Sequence, residues 1–334
     1  MNTPKHAVIV FLGGLMLSTM IHAETKTKSS TADPLVLWQD QTAKKTLMTF
    51  VRDVTDPESK KYVTPEDRVA VFDNDGTLWT EQPLYTQLLF TLNRVKELAP
   101  KHPEWKTEQP FKAILEHDEK TLKSMKEGDI AKLVAVTHAG MTEEQFEKDV
   151  DEFFKNQKHP QKKMNYTDMV YQPMVELIRY LQKNDFKVFI VTGGGVEFVR
   201  AFSEPVYGVP KENVIGSNLQ YEYKSDGKTP ELLRKAELVP PVDDKIGKPV
   251  HIQREIGRRP ILAFGNSDGD FEMLKFTTES KGPRLGLILH HDDSQREYAY
   301  DKESRVGHLE EALDAAKREG WIVVSMKKDF KTVY

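Results

Sequence analysis

The stretch VAVFDNDGTLW, Val69 to Trp79, decides how this chain is read. A short apolar run with charge before it ends in two aspartates one residue apart, Asp73 and Asp75, followed at once by Gly76 and Thr77. Arg68–Phe72 has the unbroken apolar character of a strand buried on both faces of a parallel sheet. Gly76 permits a sharp turn out of that strand, and the Thr77 hydroxyl can fix the loop by hydrogen bonding. A turn closed by an aspartate side chain would also suit these residues taken alone.

Working outward, the spacing of Leu47, Phe50, Val51 and Val54 predicts a helix upstream, from Leu37. Downstream, from Pro83 to about Lys155, the pattern is helical throughout, and Thr142 with Gln145 offers a capping box for the last helix. Alternation then sets in: a helix over 167–184, a strand at Lys187–Thr192, a helix after Gly195, a strand at NVIGSN and a hairpin turning at Ser225-Asp226-Gly227. The helix PVHIQREIG, the strand Pro260–Gly265, the helix DFEMLKF, the strand Arg284–Leu289, the helix LEEALDAAKREG and the strand WIVVSM come next. Such repetition predicts an α/β fold: a doubly wound, Rossmann-like parallel sheet with an all-helical segment set into it.

Composition narrows the function. The 334 residues are 38% hydrophobic and 30% charged, with a net charge of −4, as expected of a globular chain long enough for a large core and a smaller partner domain. Lysines are interspersed with acids, so neither a nucleic-acid footprint nor a polybasic membrane patch is visible. Cysteine is absent, which excludes a disulfide framework, a Cys-ligated zinc site and a thiol nucleophile. Lys5 and His6 precede the apolar run Ala7–Ile21, which is too short for a spanning helix of about 20 residues. Met1–Ala23 is therefore expected to be a cleaved signal peptide, leaving an exported, periplasmic chain with no stable membrane insertion.

In an open parallel sheet, ligands gather beyond the C-terminal ends of the strands. Three polar clusters are expected there: DNDGT after the first strand, TGGG (Thr192–Gly195) after the second, and GNSDGD (Gly265–Asp270) after a later one, with Lys245 or Lys248 shortly before it. Phosphoryl transfer needs a nucleophile, a proton donor for the leaving oxygen and positive charge around the phosphoryl oxygens. Asp73 can attack, Asp75 can donate and take back the proton, and Thr192 with the amides of Gly193 and Gly194 can cradle the phosphate. A carboxylate and a phosphate meet only if a cation screens them, and Mg²⁺ suits a site of oxygens. Asn266 and Asp270 can hold it with Asp73 and the Asp75 carbonyl, Asp268 being a third oxygen source. Alone, TGGG also suits a flexible loop and GNSDGD a calcium loop. Helical spacing to Ile252 and Ile256 favours Lys248 over Lys245 as the phosphate-facing lysine.

VFDNDGTLW, VTGGG, a lysine at a helix start and FGNSDGD together resemble the four motifs of the haloacid dehalogenase superfamily of phosphatases, over about Arg68 to Leu289. The phosphoserine-phosphatase-like branch is the most similar, because its helical cap lies between the first two motifs. The chain is expected to divide into 1–23 (signal peptide), 24–82 (lead-in, helix and first core strand), 83–165 (the helical cap that the resemblance implies) and 166–334 (the rest of the core). It implies Asp73 as nucleophile, Asp75 as general acid/base, Thr192 and a lysine on the phosphate, and Mg²⁺ held by Asp73, the Asp75 carbonyl and the fourth motif. Asn266 departs from the aspartate common at its position. An aspartate at position 75 disfavours a dehalogenase, which has no leaving group to protonate. The expectation is a Mg²⁺-dependent hydrolase of a small phosphorylated metabolite; a phosphotransferase or mutase, or a non-catalytic phospholigand-binding protein, are the alternatives. Glu81 and Gln82 can read substrate or be an exposed linker, His290–Asp293 resemble a metal cluster but are expected in a solvated loop, and Trp79, Phe90, Trp105 and Phe111 are expected to pack the cap.

Overall fold

A computed structural model of the chain describes residues 33–225, 227 and 229–334. The chain falls into two units, Met1–Asp33 and Pro34–Tyr334. The expected signal peptide, Met1–Ala23, lies outside the described residues. No helix among the described residues is long and apolar enough to cross a membrane.

The second unit opens with α1 (Thr42–Thr55) and β1 (Val69–Phe72). Next come α2 (Thr86–Leu98), α3 (Phe111–Glu116), α4 (Glu119–Lys123), α5 (Glu127–Thr137) and α6 (Glu143–Asn156). The alternating part holds α7 (Gln172–Lys183), β2 (Lys187–Gly195), α8 (Val196–Tyr207), β3 (Val214–Lys224), β4 (Glu231–Val239), α9 (Gly247–Ile256), β5 (Leu262–Gly265) and α10 (Phe271–Thr278). It closes with β6 (Leu285–Asp292), β7 (Ala299–Tyr300), α11 (Glu311–Glu319), β8 (Ile322–Ser325) and α12 (Met326–Asp329).

The sheet runs β4-β3-β2-β1-β5-β6, with β7 and β8 both pairing β6. β1 is parallel to β2 on one side and to β5 on the other, so the winding reverses beside it. Such a reversal opens a crevice at the C-terminal strand ends, where Asp73 stands. Successive side chains of β1 serve opposite faces: Ala70 and Phe72 pack with α1, α7 and α8, whereas Val69 and Val71 pack with α9, α10 and α11. Both faces are covered, which is why β1 is apolar at every position; burying Val71 and Phe72 contributes about 1.5–3 kcal/mol each.

Some boundaries differ from expectation. α1 begins at Thr42, not Leu37, because Leu37–Gln39 are extended along 329–331, with Gln39 N donating to Asp329 O at 2.8 Å and Lys331 N to Leu37 O at 2.9 Å. α7 begins at Gln172, with Pro173 in its first turn and a separate 3₁₀ turn at Tyr166–Asp168. β6 runs on through His290 and His291, because His290 pairs with Ser325 and His291 with Tyr300. Those histidines are therefore in the sheet and not in a solvated loop.

Between β1 and β2 the helices α2 to α6 make two packing zones. Val95, Trp105, Phe111, Ile114 and Leu133 form an outer cluster, with Trp105 stacked on Phe111 at 4.3 Å. Phe90, Phe146, Phe153 and Phe154 instead join the main core against Phe198 and Phe202 of α8. Trp79 belongs wholly to that main core, stacked on Phe202 at 4.5 Å and bridged to Val170, so it does not pack the inserted helices alone. The expected capping box of α6 is present, with Thr142 N donating to Gln145 Oε1 at 3.0 Å and Gln145 N to Thr142 Oγ1 at 3.3 Å.

The β3–β4 hairpin reaches this segment through Arg234. Arg234 N donates to Met141 O at 3.0 Å and its carbonyl accepts from Gly140 N at 2.7 Å. Its guanidinium donates to His138 O at 2.9 Å, pairs with Glu143 at 3.2 Å and lies 4.2 Å from the Phe146 ring centroid. The outer edge of β4 is thereby paired at its centre.

Candidate active site

β1 delivers Asp73 to the crevice. Asp73 N still donates to Phe264 O at 2.9 Å, continuing the ladder with β5, and the chain then folds over, with Thr77 N and Leu78 N donating to Asn74 O at 3.2 and 2.8 Å. Gly76 makes the turn at φ +74, where a Cβ would lie 2.1 Å from Asn266 Nδ2. The turn thus requires glycine both for its conformation and for the approach of the fourth loop.

Lys248 sits in the first turn of α9 and is buried, with 2% of its side chain exposed. Its ammonium donates to Asp73 Oδ1 at 2.5 Å, Asp270 Oδ1 at 2.7 Å and Val191 O at 2.8 Å, so all three protons are committed. Burial alone would lower the Lys248 pKa; Asp270 and Asp73 outweigh it and hold the ammonium charged. One cation between two carboxylates leaves a net negative charge, and burial first, then Asp270, push Asp73 well above the usual carboxylate range against the pull of Lys248. Lys245 is exposed, at φ +49, and its backbone N–H is spent on Gly269 O. Of the two lysines, the structure brings Lys248 to Asp73.

Asp75 lies beside this pair. Trp79 Nε1 donates to its Oδ1 at 2.9 Å, and burial raises its pKa against that bond and one from Asn74. A carboxyl whose pKa burial raises suits a proton donor.

In the second loop, Thr192 Oγ1 accepts from Gly194 N at 3.1 Å, and Gly195 N donates to Gln87 Oε1 of α2 at 2.7 Å. A Cβ on Gly194 would lie 2.9 Å from Gln87 Oε1, 3.3 Å from Thr192 Oγ1 and 3.9 Å from Asp75 Oδ2, so Gln87 and the expected residues share one small space. Behind Gln87, His138 is buried, and burial followed by Arg234 and Arg94 pushes its pKa well down. Neutral His138 then donates from Nδ1 to Thr137 Oγ1 at 2.8 Å and accepts at Nε2 from Gln87 Nε2 at 3.4 Å, which fixes the carboxamide with Oε1 toward Gly195. Gln87 and His138 were not legible as site residues: they sit in amphipathic helical sequence with no motif around them.

The fourth loop carries Asn266 and Asp270. Asp270 Oδ1 is taken by Lys248, and Oδ2 accepts from the backbone N–H of Asn266 at 2.9 Å and of Ser267 at 3.1 Å. Asp268 serves α11 instead, accepting from the N–H groups of Glu310, Glu311 and Ala312 at 2.9 to 3.2 Å. Asn266 Oδ1 lies 3.0 Å, and Asp73 Oδ2 3.3 Å, from the Thr77 hydroxyl. That hydroxyl has one proton to give, so one of the two oxygens keeps unmet acceptor capacity.

Glu81, for which an exposed linker was one expectation, is 1% exposed. Its Oε1 accepts from Asn266 Nδ2 and from Tyr300 OH, each at 2.7 Å. Burial raises its pKa well above the usual range, the Tyr300 bond opposing and Asp75 and Asp73 adding. A cation among these carboxylates would pull all of them down together. Tyr300 stacks on His291 at 4.4 Å, and His291 Nε2 donates to Gly76 O at 2.7 Å while Nδ1 faces Glu297 at 3.3 Å. Burial raises the Glu297 pKa, but its bond and charge interaction with His291, then Tyr298 N and Thr80, outweigh this and hold it below the usual range.

The donors available to a metal are all oxygens, as a hard cation prefers. Asp73 Oδ2 and Asn266 Oδ1 both face the Thr77 hydroxyl, and the acceptor capacity that its single proton leaves unmet on one of them fits a positive charge there. Among the described residues no three His, Cys, Asp or Glu side chains gather as a ligand set; a metal held here would need an amide or main-chain oxygen as well.

The doubly wound sheet thus sets a lysine-held carboxylate at its switch point, a second carboxylate two residues on and the threonine and glycines that end β2 opposite. A family model described as haloacid dehalogenase-like hydrolase matches residues 70–275, and the chain belongs to that family. No curated protein sequence matches it. Among solved structures, it is similar to a functionally unknown protein from Anaerococcus prevotii, with 17% identity, 77% of this chain and 88% of that one covered, and a TM-score of 0.50. A protein of unknown function from Bordetella pertussis is 16% identical over 77% of this chain and 97% of that one, with a TM-score of 0.47. A phosphoserine phosphohydrolase-like protein from Francisella tularensis is 16% identical over 75% and 98%, with a TM-score of 0.39.

Proposed function

We propose that this hydrolase is a Mg²⁺-dependent phosphatase that cleaves small phosphomonoesters through an aspartyl-phosphate on Asp73, after export from the cytoplasm. The observation that carries the reading is the placement of Asp73, held by Lys248 at 2.5 Å beside a second carboxyl, Asp75, whose pKa burial raises.

In the first half-reaction an Asp73 carboxylate oxygen bonds to phosphorus, the bond to the leaving oxygen breaks, and Asp75 gives that oxygen its proton. In the second, water attacks the phosphorus of the aspartyl-phosphate, Asp75 takes the proton, and inorganic phosphate leaves with Asp73 restored. Lys248 keeps positive charge against Asp73 throughout, and the Thr192 hydroxyl with the Gly193 amide offers donors to the phosphoryl oxygens, the Gly194 amide being spent on Thr192 Oγ1. Asp73, the Asp75 carbonyl and Asn266 would hold Mg²⁺, with Asp270 securing the backbone of Asn266 and the ammonium of Lys248. When bound, the cation offsets the repulsion between the carboxylate and the incoming phosphate. Gln87 comes from the inserted helices into the same space as Asp75 and Thr192, which favours a small leaving group.

The test is hydrolysis of an aryl phosphate and a panel of phosphorylated metabolites by the purified chain, in EDTA and with Mg²⁺ restored. The expected result is metal-dependent release of phosphate, lost in Asp73→Asn. Parental rates from that variant would rule out the aspartyl-phosphate.

A further inference from the structure

We propose that Glu81 is a positioning residue for the cation site: its carboxylate orients the Asn266 amide and supplies the negative charge that an amide ligand lacks. The inference rests on the proposed Mg²⁺ site and goes further by assigning a role to a residue that touches neither the reacting atoms nor, directly, the metal.

The first ground is the fit of the slot. Glu81 is held between two glycines from distant parts of the chain, Gly76 at φ +74 and Gly307 at φ +65. A Cβ on Gly76 would fall 2.3 Å from Glu81 Oε1, and one on Gly307 only 1.9 Å from it. A Cβ at either position would meet the Glu81 carboxylate, and both positive φ values favour glycine.

The second ground is the chemistry of the amide. The two ends of an asparagine side chain have nearly the same shape, so hydrogen bonding alone decides which end faces a cation. Glu81 Oε1 accepts from Nδ2 at 2.7 Å, and Asn266 Oδ1 is thereby turned toward Thr77 and Asp73. A carboxylate behind the N–H also draws electron density toward the amide oxygen, strengthening it as a donor to a metal.

The third ground is charge. Both groups that donate to Glu81 Oε1, the Asn266 amide and the Tyr300 hydroxyl, are neutral, and among the described residues no Lys, Arg or His forms an ion pair with Glu81. With only neutral partners around it, this carboxylate has room for a positive charge beside Asn266. A cation between Asp73 Oδ2 and Asn266 Oδ1 lies one side chain away.

Exchanging the charges tests this, with Mg²⁺ binding to the purified full-length chain read by titration calorimetry and Mn²⁺ binding by its paramagnetic resonance signal. Glu81→Gln keeps the shape and the accepting oxygen but removes the charge, and is expected to weaken binding about 10–100-fold. Asn266→Asp alone is expected to bring no tightening, because two carboxyls within hydrogen-bond reach do not both ionise. The double variant E81Q/N266D moves the charge onto the direct ligand and is expected to bind as the parent does. Thermal unfolding establishes that each variant is folded; should Glu81→Gln not fold, the Asn266→Asp measurement decides alone. Equal affinity in parent and Glu81→Gln, or tighter binding in Asn266→Asp, overturns the inference while leaving the Mg²⁺ reading intact. A parent chain that binds neither ion and hydrolyses an aryl phosphate in EDTA overturns both.

Discussion

Replacing Lys248 with methionine removes one cation from between two buried carboxylates while keeping the length and apolar stem of the side chain. Asp73 and Asp270 lose bonds of 2.5 and 2.7 Å and face each other without compensation. Stripping one partner from a buried ion pair costs about 3–5 kcal/mol. At roughly 2–4 °C per kcal/mol, with the lower slope fitting a chain of this size, the melting temperature should fall by about 6–10 °C. The assay is thermal unfolding by circular dichroism at neutral pH in EDTA. The pH dependence has a definite sign. Lys248 titrates above its ordinary value in the folded state, so its contribution is complete below about pH 10 and is lost as pH climbs from there through that raised value. Asp73 is raised by burial and Asp270, so folding takes up a proton there and acidification favours the folded state. Without Lys248 that rise is larger, and the deficit of the variant should narrow as pH falls from about 7 toward 4. A second substitution, Asp270→Asn, should recover part of the loss by removing the repulsion. A Lys248→Met chain melting within about 2 °C of the parent would show that the triad carries little energy, and the reasoning would fail.

Two other outcomes are expected from the geometry. Asp75→Asn should lower kcat by about 10²–10⁴-fold on alkyl phosphates and less on aryl phosphates, whose leaving groups need no proton; because burial raises the parent carboxyl, the parent should lose activity on alkyl phosphates as pH rises, and that limb should vanish in the variant. Gln87→Ala leaves the Gly195 N–H at the start of α8 without its 2.7 Å partner, a loss of about 1–3 kcal/mol, so KM and the inhibition constant for phosphate should rise about 5–100-fold while kcat changes little; unchanged values would show that Gln87 is incidental to the loop.

The sheet and three of its loops were legible because their signals are local. RVAVF, KVFIVT and PILAF are apolar at consecutive positions, and the residues that end each strand are the ones the fold gathers at the switch point. The preference for Lys248 was a matter of helical spacing, and the same spacing puts its ammonium on Asp73. What escaped the sequence depends on partners far along the chain. Glu81 reads equally as a substrate contact or a linker, and its buried place is set by Tyr300 and Gly307, which close over it from more than 200 residues away. His291 reads as one of a run of polar residues after a strand, and only its pairing with Tyr300 and its bond to Gly76 O keep it in the sheet. Asp268 carries the same chemistry as Asp270 and two positions separate them, yet one anchors α11 and the other the lysine.

Arg234 has a mechanical consequence. The hairpin and the helices before β2 are laced together by a reciprocal pair of backbone bonds, a guanidinium on His138 O and Glu143, and a ring face beneath it. An element fastened at that point cannot lift like a loose flap over the crevice. Any displacement of α2–α6 would carry the hairpin with it, and the residue that couples them sits on β4.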